Sequence, residues 1–342
     1  MISGWDIGGA HLKVARCDEQ GNNFQIIQVP CPLWQGIEYL EQAIESILAK
    51  LNSQHDLTVI TMTGELVDIF ANRQSGVSEI LACVTKYISF NKILVYGADA
   101  GWLSPQQAEK QWRQVASRNW QATASLVATR QKQGILIDIG STTCDIIVVE
   151  DGQEQVQGLT DYQRQTSREL LYTGAIRTPL IALSQTAPFN GKSVSLAAEV
   201  FATTGDCWCL LEQLAPNSIQ DNSADGKPWQ QQFCADRIAR LLGCDSDQEK
   251  LSQWQQLAHW FAEQQYHLVA NAVLHVISAH KNLPANAPII GAGIGRFIAK
   301  ECAQRLNRPY LDFHDLISVS QASASDHAPA VAVALLAQDQ LA

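Results

Sequence analysis

The sequence ILIDIGSTTCDIIVVEDGQ, residues 135–153, repeats a pattern that is already present at residues 4–21, GWDIGGAHLKVARCDEQG. When the two stretches are aligned, Asp138 falls on Asp6 and Gly140 falls on Gly8. Each copy has an apolar strand ending in Asp-Ile-Gly, a turn of small or polar residues, a returning β-rich strand and an acidic turn that contains glycine. This internal duplication predicts two halves that share one architecture.

Strand-like and helical segments alternate around both copies. Residue spacing predicts helices over 37–51, 77–90, 105–118, 229–242, 248–280 and 328–341, and buried strands at 57–62, 92–96 and 288–290. This alternation is typical of an α/β fold. We expect an N-terminal half at 1–130 and a second half at 131–342 with a helical insertion at about 207–285, and the last helix of the chain could pack back on the first half.

The composition narrows the class of partner. The chain has 342 residues, 46% of them hydrophobic, and a formal net charge of −10, so its field repels nucleic acid and anionic membrane surfaces. Nine scattered cysteines are typical of a reduced, cytoplasmic protein, and no apolar run approaches the roughly 20 residues that span a bilayer. We expect small-molecule partners, no nucleic acid and no membrane; a homodimer is kept as an open expectation.

The first Asp-Ile-Gly-Gly turn has the composition of a metal-phosphate site. Asp6 supplies a carboxylate at a strand end, and Gly8 and Gly9 leave backbone amides unobstructed. Lys13, on the returning strand, could reach back to a terminal phosphate as a point charge. The alternative is an ordinary tight turn with a capping aspartate.

The second copy adds hydroxyl groups to the same arrangement. Asp138 takes the place of Asp6, Gly140 opens the turn, and the hydroxyls of Ser141, Thr142 and Thr143 join the backbone amides. Because a duplicated hairpin is hard to explain as two unrelated surface turns, we favour a phosphate site that uses both copies.

A third glycine-rich element, GAGIGRFIA at residues 291–299, follows the strand at 288–290 and opens a helix. Gly291 and Gly293 could offer amide donors and a flat surface to a nucleotide or another planar group. A dinucleotide-binding fold is the competing interpretation, but its fingerprint opens a βαβ unit with an acidic residue about 20 positions later, and here the chain is nearly over.

Four motifs carry a family resemblance, which spans nearly the whole chain: TGELVD (63–68), DIGSTTCDI (138–146) of the second hairpin, YTGAIRTPL (172–180) and AAEVFATTGD (197–206). With the duplicated hairpin and the late glycine turn, they resemble the hydantoinase A/oxoprolinase branch of the sugar kinase, heat-shock ATPase and actin superfamily. More narrowly, they are similar to tetrahydromethanopterin-linked one-carbon-pathway proteins, whose archaeal relatives act as methanofuran-biosynthesis synthases. The resemblance implies duplicated actin-like (ribonuclease H-like) α/β domains with a cleft between them.

The resemblance also implies a reaction, the condensation of a furanmethyl diphosphate with the phenol of a γ-glutamyltyramine-type acceptor and the release of diphosphate. Mg²⁺ would be held by Asp6 and Asp138, and the diphosphate by Lys13 together with the glycine, serine and threonine groups of the three turns. Asp138, Lys13 and Glu65 would be catalytic, and Asp68, Arg177 and Asp206 would bind the acceptor or support the metal site. The structural alternatives are that Glu65 caps a segment, Arg177 joins two loops by an ion pair and Asp206 satisfies a helix end.

Two other functions remain open on the same fold. One is ATP-dependent chemistry, either phosphorylation of a small metabolite or opening of a cyclic amide, because this cleft normally binds ATP. The other is a nucleotide-sensing protein without catalysis. The pair Cys207 and Cys209 lacks the four-ligand spacing of a zinc site, so we interpret both as structural thiols.

Overall fold

The structure of the protein, a computed structural model, describes residues 1–317 and 323–341. It divides into two compact units. Unit 1 comprises Met1–Gln133, Val149–Gln155 and Leu311–Ala342, and unit 2 comprises Gly134–Val148 and Val156–Tyr310. The division expected from the sequence placed residues 311–342 in the second half and allowed only the last helix to return to the first.

The elements before residue 134 form one sheet with helices around it. They are strands β1 (Ile2–Ile7), β2 (His11–Cys17), β3 (Gln25–Pro30), β4 (Leu57–Met62), β5 (Ile93–Tyr96) and β6 (Trp102–Leu103), and helices α1 (Glu38–Leu51), α2 (Arg73–Thr85), α3 (Pro105–Lys110), α4 (Trp112–Val115) and α5 (Asn119–Arg130). The strand order is β3-β2-β1-β4-β5-β6, with β1 antiparallel to β2 and parallel to β4. The carboxyl ends of β1 and β4 therefore lie side by side.

The helix predicted over 105–118 is interrupted at Gln111 and ends at Val115, so the prediction is wrong only at Gln111 and at residues 116–118. Pro105 and a Ser104–Gln107 capping box start α3, as helix-start chemistry predicts, but Gln111 leaves the helical region at φ −104° and ψ 32°. After the single turn of α4, Ala116 forms an isolated parallel bridge with Met62, and Ser117 has a positive φ of 56°. Pairing with the end of β4 overrides the helical spacing at this point.

The elements from residue 134 onward build the second sheet, the helical insertion and the C-terminal segment. They are strands β7 (Gly134–Ile139), β8 (Cys144–Glu150), β9 (Gln153–Gln155), β10 (Leu170–Leu171), β11 (Thr186–Phe189), β12 (Lys192–Ser195), β13 (Ile289–Ala292) and β14 (Tyr310–Asp312), and helices α6 (Asp161–Thr166), α7 (Leu180–Leu183), α8 (Thr204–Leu210), α9 (Gln231–Leu242), α10 (Leu251–Ser278), α11 (Arg296–Arg305), α12 (Phe313–Leu316), α13 (Ser323–Asp326) and α14 (Ala328–Leu341).

The two sheets share a strand order, which confirms the predicted fold class. The second sheet runs β10-β8-β7-β13-β14, so β7 corresponds to β1, β8 to β2 and β13 to β4. As with β1 and β4, β7 is parallel to β13. Each half is thus an actin-like α/β unit whose central strand ends in the Asp-Ile-Gly turn.

Each unit has its own apolar core. In unit 1, α14 packs on β1 and α5, and the alanine-rich composition of α14 lets it approach the sheet closely. Trp5, next to Asp6, is fully buried in the core of this sheet. Within residues 1–317 and 323–341, no helix is both long and apolar enough to cross a membrane.

Candidate active site

The first Asp-Ile-Gly turn joins β1 to β2. Gly8 N donates to His11 O at 3.0 Å and closes the turn. The antiparallel register places Lys13 directly opposite Asp6, and Lys13 Nζ lies 3.6 Å from Asp6 Oδ2. The predicted carboxylate and the predicted lysine are therefore adjacent at the carboxyl end of β1.

The Asp6 carboxyl group is buried and only partly satisfied. The residue is 2% exposed, and its Oδ1 atom has no hydrogen-bond partner. Burial raises the pKa of Asp6, while Lys13 and, less strongly, Asn119 lower it. An unsatisfied buried carboxylate oxygen is costly unless a cation or a donor occupies the space beside it. The geometry of Asp6 therefore fits a hard cation such as Mg²⁺.

Glu65 lies next to this turn because it follows the neighbouring strand. Thr63 N, just after β4, donates to Ile7 O at 3.0 Å, and Glu65 comes two residues later in a short 3₁₀ helix, Gly64–Leu66. The Glu65 side chain is buried and accepts a hydrogen bond from Ser117 Oγ at 2.9 Å on Oε1. By contrast, Asp68 of the same TGELVD motif is exposed.

Sequence reasoning missed the segment 116–119, which approaches both carboxyl groups. Ser117 holds Glu65, and Asn119 at the start of α5 contributes to the electrostatics of Asp6. A signal was present in the sequence: three consecutive polar residues, Ser-Arg-Asn, stand between Ala116 and Trp120, and serine and asparagine favour turns. The continuous helical spacing from Pro105 concealed it.

The second Asp-Ile-Gly turn is closed by the same type of hydrogen bond. Gly140 N donates to Thr143 O at 3.0 Å. The YTGAIRTPL segment packs against this turn: Ala175 N donates to Gly140 O at 2.9 Å, and Ile176 N and Arg177 N donate to Ser141 O at 3.1 and 2.8 Å. Two motifs that were far apart in the sequence thus form one backbone unit.

The glycine turn GAGIG, which follows β13, lies directly beside Asp138 at the end of β7. In the parallel register of β7 and β13, Ala292 lies opposite Asp138, and Gly293 follows with φ +80°. A Cβ atom at Gly293 would lie 2.2 Å from Ile139 O and 2.6 Å from Asp138 Oδ1. Gly291, in contrast, packs against the Tyr310 hydroxyl, since a Cβ there would lie 2.4 Å from it.

The duplicated hairpins differ at the position of the lysine. Residue 145 aligns with Lys13, and it is an aspartate whose Oδ1 pairs with Arg164 Nη1 at 2.7 Å. Burial raises the pKa of Asp145, and Arg164 lowers it. The first copy therefore presents a cation beside its Asp-Ile-Gly turn, whereas the second copy has a neutralised ion pair at the matching position.

Comparison with known proteins identifies the family to which the chain belongs. The hydantoinase/oxoprolinase family model matches residues 56–340. The chain belongs to the hydantoinase/oxoprolinase family. A curated relative from Methanocaldococcus jannaschii, named (4-{4-[2-(gamma-L-glutamylamino)ethyl]phenoxymethyl}furan-2-yl)methanamine synthase, is 31% identical over 346 residues, which cover 100% of this chain and 98% of the relative.

A second curated relative and a solved structure are also similar to this chain. A protein of the same name from Methanococcus vannielii is 28% identical over 213 residues, covering 61% of this chain and 93% of that protein. Among solved structures, nucleotide-free acetone carboxylase superposes with a TM-score of 0.60 at 11% identity, covering 98% of this chain and 70% of that chain. At that identity the structural match supports the fold alone.

In this family member, Asp206 has contacts that match the structural alternative. Its Oδ2 accepts from Thr203 N at 2.8 Å at the start of α8, and its Oδ1 accepts from Arg237 Nε at 2.7 Å. Both side chains of the ion pair are fully buried. Burial raises the pKa of Asp206 to about 6, against the opposing effect of Arg237. Arg177 is more exposed, with its Nε 3.9 Å from Asp221 Oδ1.

The cysteine pair shows no sign of a metal centre in the described part of the chain. Cys207 and Cys209 are free thiols buried in α8, and burial raises the pKa of Cys207 well above its usual value. Among residues 1–317 and 323–341, no group of three or more His, Cys, Asp or Glu side chains could by itself hold a metal ion. Mg²⁺ needs only one or two carboxylates when water and substrate phosphates complete its coordination.

Proposed function

We propose that this protein is a transferase of methanofuran biosynthesis. It joins a furanmethyl diphosphate to the phenol oxygen of a γ-glutamyltyramine-type acceptor and releases diphosphate. In the reaction, the bond between the methylene carbon and the diphosphate oxygen breaks, a bond from the phenol oxygen to that carbon forms, and the phenol loses its proton. The product is an alkyl aryl ether.

Similarity over the full chain supports the substrate class. The synthase from Methanocaldococcus jannaschii aligns with all of this chain, and its name describes a furan joined to a phenol through an oxymethyl group. Such a link follows directly from the attack of a phenol on a furanmethyl diphosphate. The furanmethyl cation is stabilised by resonance, so the enzyme mainly has to stabilise the departing diphosphate.

The single observation that carries the proposal is the pairing of the buried Asp6 carboxylate with Lys13. Asp6 presents an unsatisfied buried oxygen, and the partly exposed Lys13 ammonium lies 3.6 Å from the other oxygen. A carboxylate that can bind a cation, next to an ammonium group at a glycine turn, is suited to binding a metal-bound polyphosphate. We assign Lys13 and the Gly9 amide to the diphosphate; the Gly8 amide, which the sequence also suggested, already donates to His11 O within the turn.

Magnesium fits the same residues. Asp6 in unit 1 and Asp138 in unit 2 each carry a buried carboxylate at a strand end, and each would hold Mg²⁺ directly or through water. When bound, the ion neutralises charge that develops on the leaving diphosphate.

Glu65 is our candidate for the base that accepts the phenol proton. It is buried, it is fixed by Ser117, and it follows the strand next to the one that carries Asp6. In unit 2, the amides and hydroxyls of the 141–143 turn are assigned to the diphosphate. The roles of Asp68 and Arg177 in acceptor binding stay proposals, and the contacts of Asp206 favour a supporting role.

A direct assay tests the proposal. Purified protein with Mg²⁺, the aminomethyl-substituted furanmethyl diphosphate and γ-glutamyltyramine should release diphosphate and form the ether in equal amounts, measured by coupled phosphate detection and mass spectrometry. Asp6→Asn and Asp138→Asn should abolish both products. Asp247→Asn is a matched control, because it makes the same chemical change at an exposed position outside the proposed site.

A parallel reaction separates the alternatives. ATP replaces the furanmethyl diphosphate, and it is incubated with the phenol or with a cyclic amide. ATP turnover without ether formation would replace the synthase proposal with ATP-dependent chemistry. Failure of both reactions, with retained nucleotide binding, would favour a nucleotide sensor.

A further inference from the structure

Gln265 is a buried polar residue in the middle of the long helix α10, and its neighbours on the buried face are apolar, among them Phe261, Val269 and Ala272. A buried amide in such a place is unfavourable unless all of its hydrogen bonds are made. The contacts of Gln265 lead from α10 to the 140–143 turn.

The hydrogen bonds of Gln265 fix its orientation. Its Oε1 accepts from Trp208 Nε1 at 3.0 Å, and since an indole nitrogen can only donate, the amide oxygen must face Trp208. The Nε2 group is thereby directed to the other side, where it donates to Gly174 O at 2.8 Å and to Thr173 Oγ1 at 2.9 Å. Thr204 Oγ1 donates to the same Gly174 oxygen at 2.9 Å.

Gly174 in turn lies directly on the turn that we assign to the diphosphate. A Cβ atom at Gly174 would lie 2.4 Å from Ser141 O and from Thr142 N, so only glycine permits this backbone contact. The amides that follow it, from Ala175 to Arg177, donate to the carbonyl oxygens of Gly140 and Ser141.

These carbonyl contacts determine where the amides of the turn point. In a trans peptide unit the C=O and the following N–H point in opposite directions. Because the carbonyls of Gly140 and Ser141 point toward segment 174–177, the N–H groups of Ser141 and Thr142 point away from it. These are two of the amides that would receive phosphate oxygens.

We propose that Gln265 is a positioning residue, which holds Gly174 against the 140–143 turn and thereby aims the Ser141 and Thr142 amides at the diphosphate. The part that concerns diphosphate rests on the proposed function; the part that concerns the backbone does not. Gln265 lies outside every motif that the sequence singled out.

The test compares two glutamines of the same helix. Gln265→Met keeps the volume of the side chain and removes its hydrogen bonds. Gln265→Glu keeps the acceptor for Trp208 but directs a carboxylate oxygen at the Gly174 carbonyl. Gln255→Met is the control, because Gln255 Nε2 donates to Leu210 O at 3.3 Å, at the end of α8.

Two measurements are made on each full-length protein: amide hydrogen exchange of residues 175–177, and binding of inorganic pyrophosphate with Mg²⁺ by calorimetry. Both Gln265 variants should exchange these amides faster and bind pyrophosphate at least about tenfold more weakly, since a buried hydrogen-bond set is lost. The control should match the wild type in both measurements. Thr204→Val removes another donor to Gly174 O, so it should also speed exchange and weaken pyrophosphate binding, but by less. This variant replaces Gln265→Met if Gln265→Met does not fold.

Unchanged exchange at residues 175–177 in Gln265→Met would overturn the role of Gln265. Faster exchange with wild-type pyrophosphate affinity would show that the backbone unit does not orient the binding amides. Absence of pyrophosphate binding in the wild type would instead overturn the diphosphate role of the turn, while the exchange comparison would still decide the backbone part.

Discussion

Lys13 and Asp6 face each other across the β1–β2 hairpin, with the ammonium nitrogen 3.6 Å from one carboxylate oxygen. The separation is longer than a direct hydrogen bond, so the pair is held by charge rather than by a short contact. Lys13 is 25% exposed at its side chain, whereas that of Asp6 is 3% exposed. The lysine can therefore serve both the buried carboxylate and an incoming phosphate.

Substitution of Lys13 and substitution of Asp6 should have different effects on the free energy of unfolding. Lys13→Met leaves a buried carboxylate without its cation and should lower the free energy of unfolding by about 1–2 kcal/mol. Asp6→Asn removes the desolvated charge and should leave the free energy of unfolding unchanged or higher, although activity is lost. Urea denaturation at pH 7.5 measures both. A fully stable Lys13→Met variant would contradict the ion-pair interpretation.

Glu65 should matter for turnover and not for folding. Glu65→Gln keeps an oxygen that can accept from Ser117 Oγ, but it removes the base. We expect the rate of ether formation at saturating substrate to fall about 10²–10⁴-fold, the usual contribution of a general base. Glu79→Gln makes the same chemical change at an exposed position of α2, and it should change this rate less than about twofold. Equal effects of the two substitutions would remove Glu65 from the proposed mechanism.

Ser117 combines backbone strain with a buried hydrogen bond, and two substitutions separate these effects. Ser117→Gly accepts the positive φ of 56° and loses the bond to Glu65, whereas Ser117→Ala loses the bond and keeps the strain. Ser117→Ala should therefore be less stable than Ser117→Gly by about 1 kcal/mol. Thermal and urea unfolding of both variants give this difference. The reverse order would mean that the segment relaxes to a negative φ.

A feature of the fold or of the candidate site could be predicted from the sequence where its residues lie close together in the chain. The two Asp-Ile-Gly turns were predictable because strand, turn and returning strand lie within 20 residues of each other, and the duplication confirms one copy with the other. The roles of Ser117 and Gln265 were not predictable, since each contacts a motif 52 or 91–92 residues away. The contact of Asp206 with Thr203 N is local, but Arg237, the ion-pair partner of Asp206, is 31 residues away.

The pKa of Asp206 gives a prediction for stability against pH. Its value is raised from 3.8 to about 6, so between these values the folded state binds a proton that the unfolded state has already lost. The stability that this proton contributes is fully present below about pH 4 and is lost as the pH rises through about 6. Relative to Asp206→Asn, the wild type should therefore lose about 1–3 kcal/mol between pH 4 and pH 7. Urea denaturation of both proteins at four pH values tests this, and parallel curves would contradict it.

Gly293 provides the sharpest test of the glycine turn beside Asp138. Gly293→Ala must adopt a φ of +80° and would place Cβ 2.2 Å from Ile139 O, so the turn must move away from Asp138. The matched control is Gly226→Ala in the same unit, which has φ +72° and no neighbouring atom within 4 Å of the new Cβ. The control carries only the backbone cost of about 1 kcal/mol. Gly293→Ala carries this backbone cost and also the cost of the clash, so its free energy of unfolding, measured by urea denaturation, should fall by about 3 kcal/mol or more. It should also lose Mg²⁺-dependent binding of pyrophosphate. If the two variants were equally stable, the close approach of Gly293 to Ile139 and Asp138 would not be a constraint on the site.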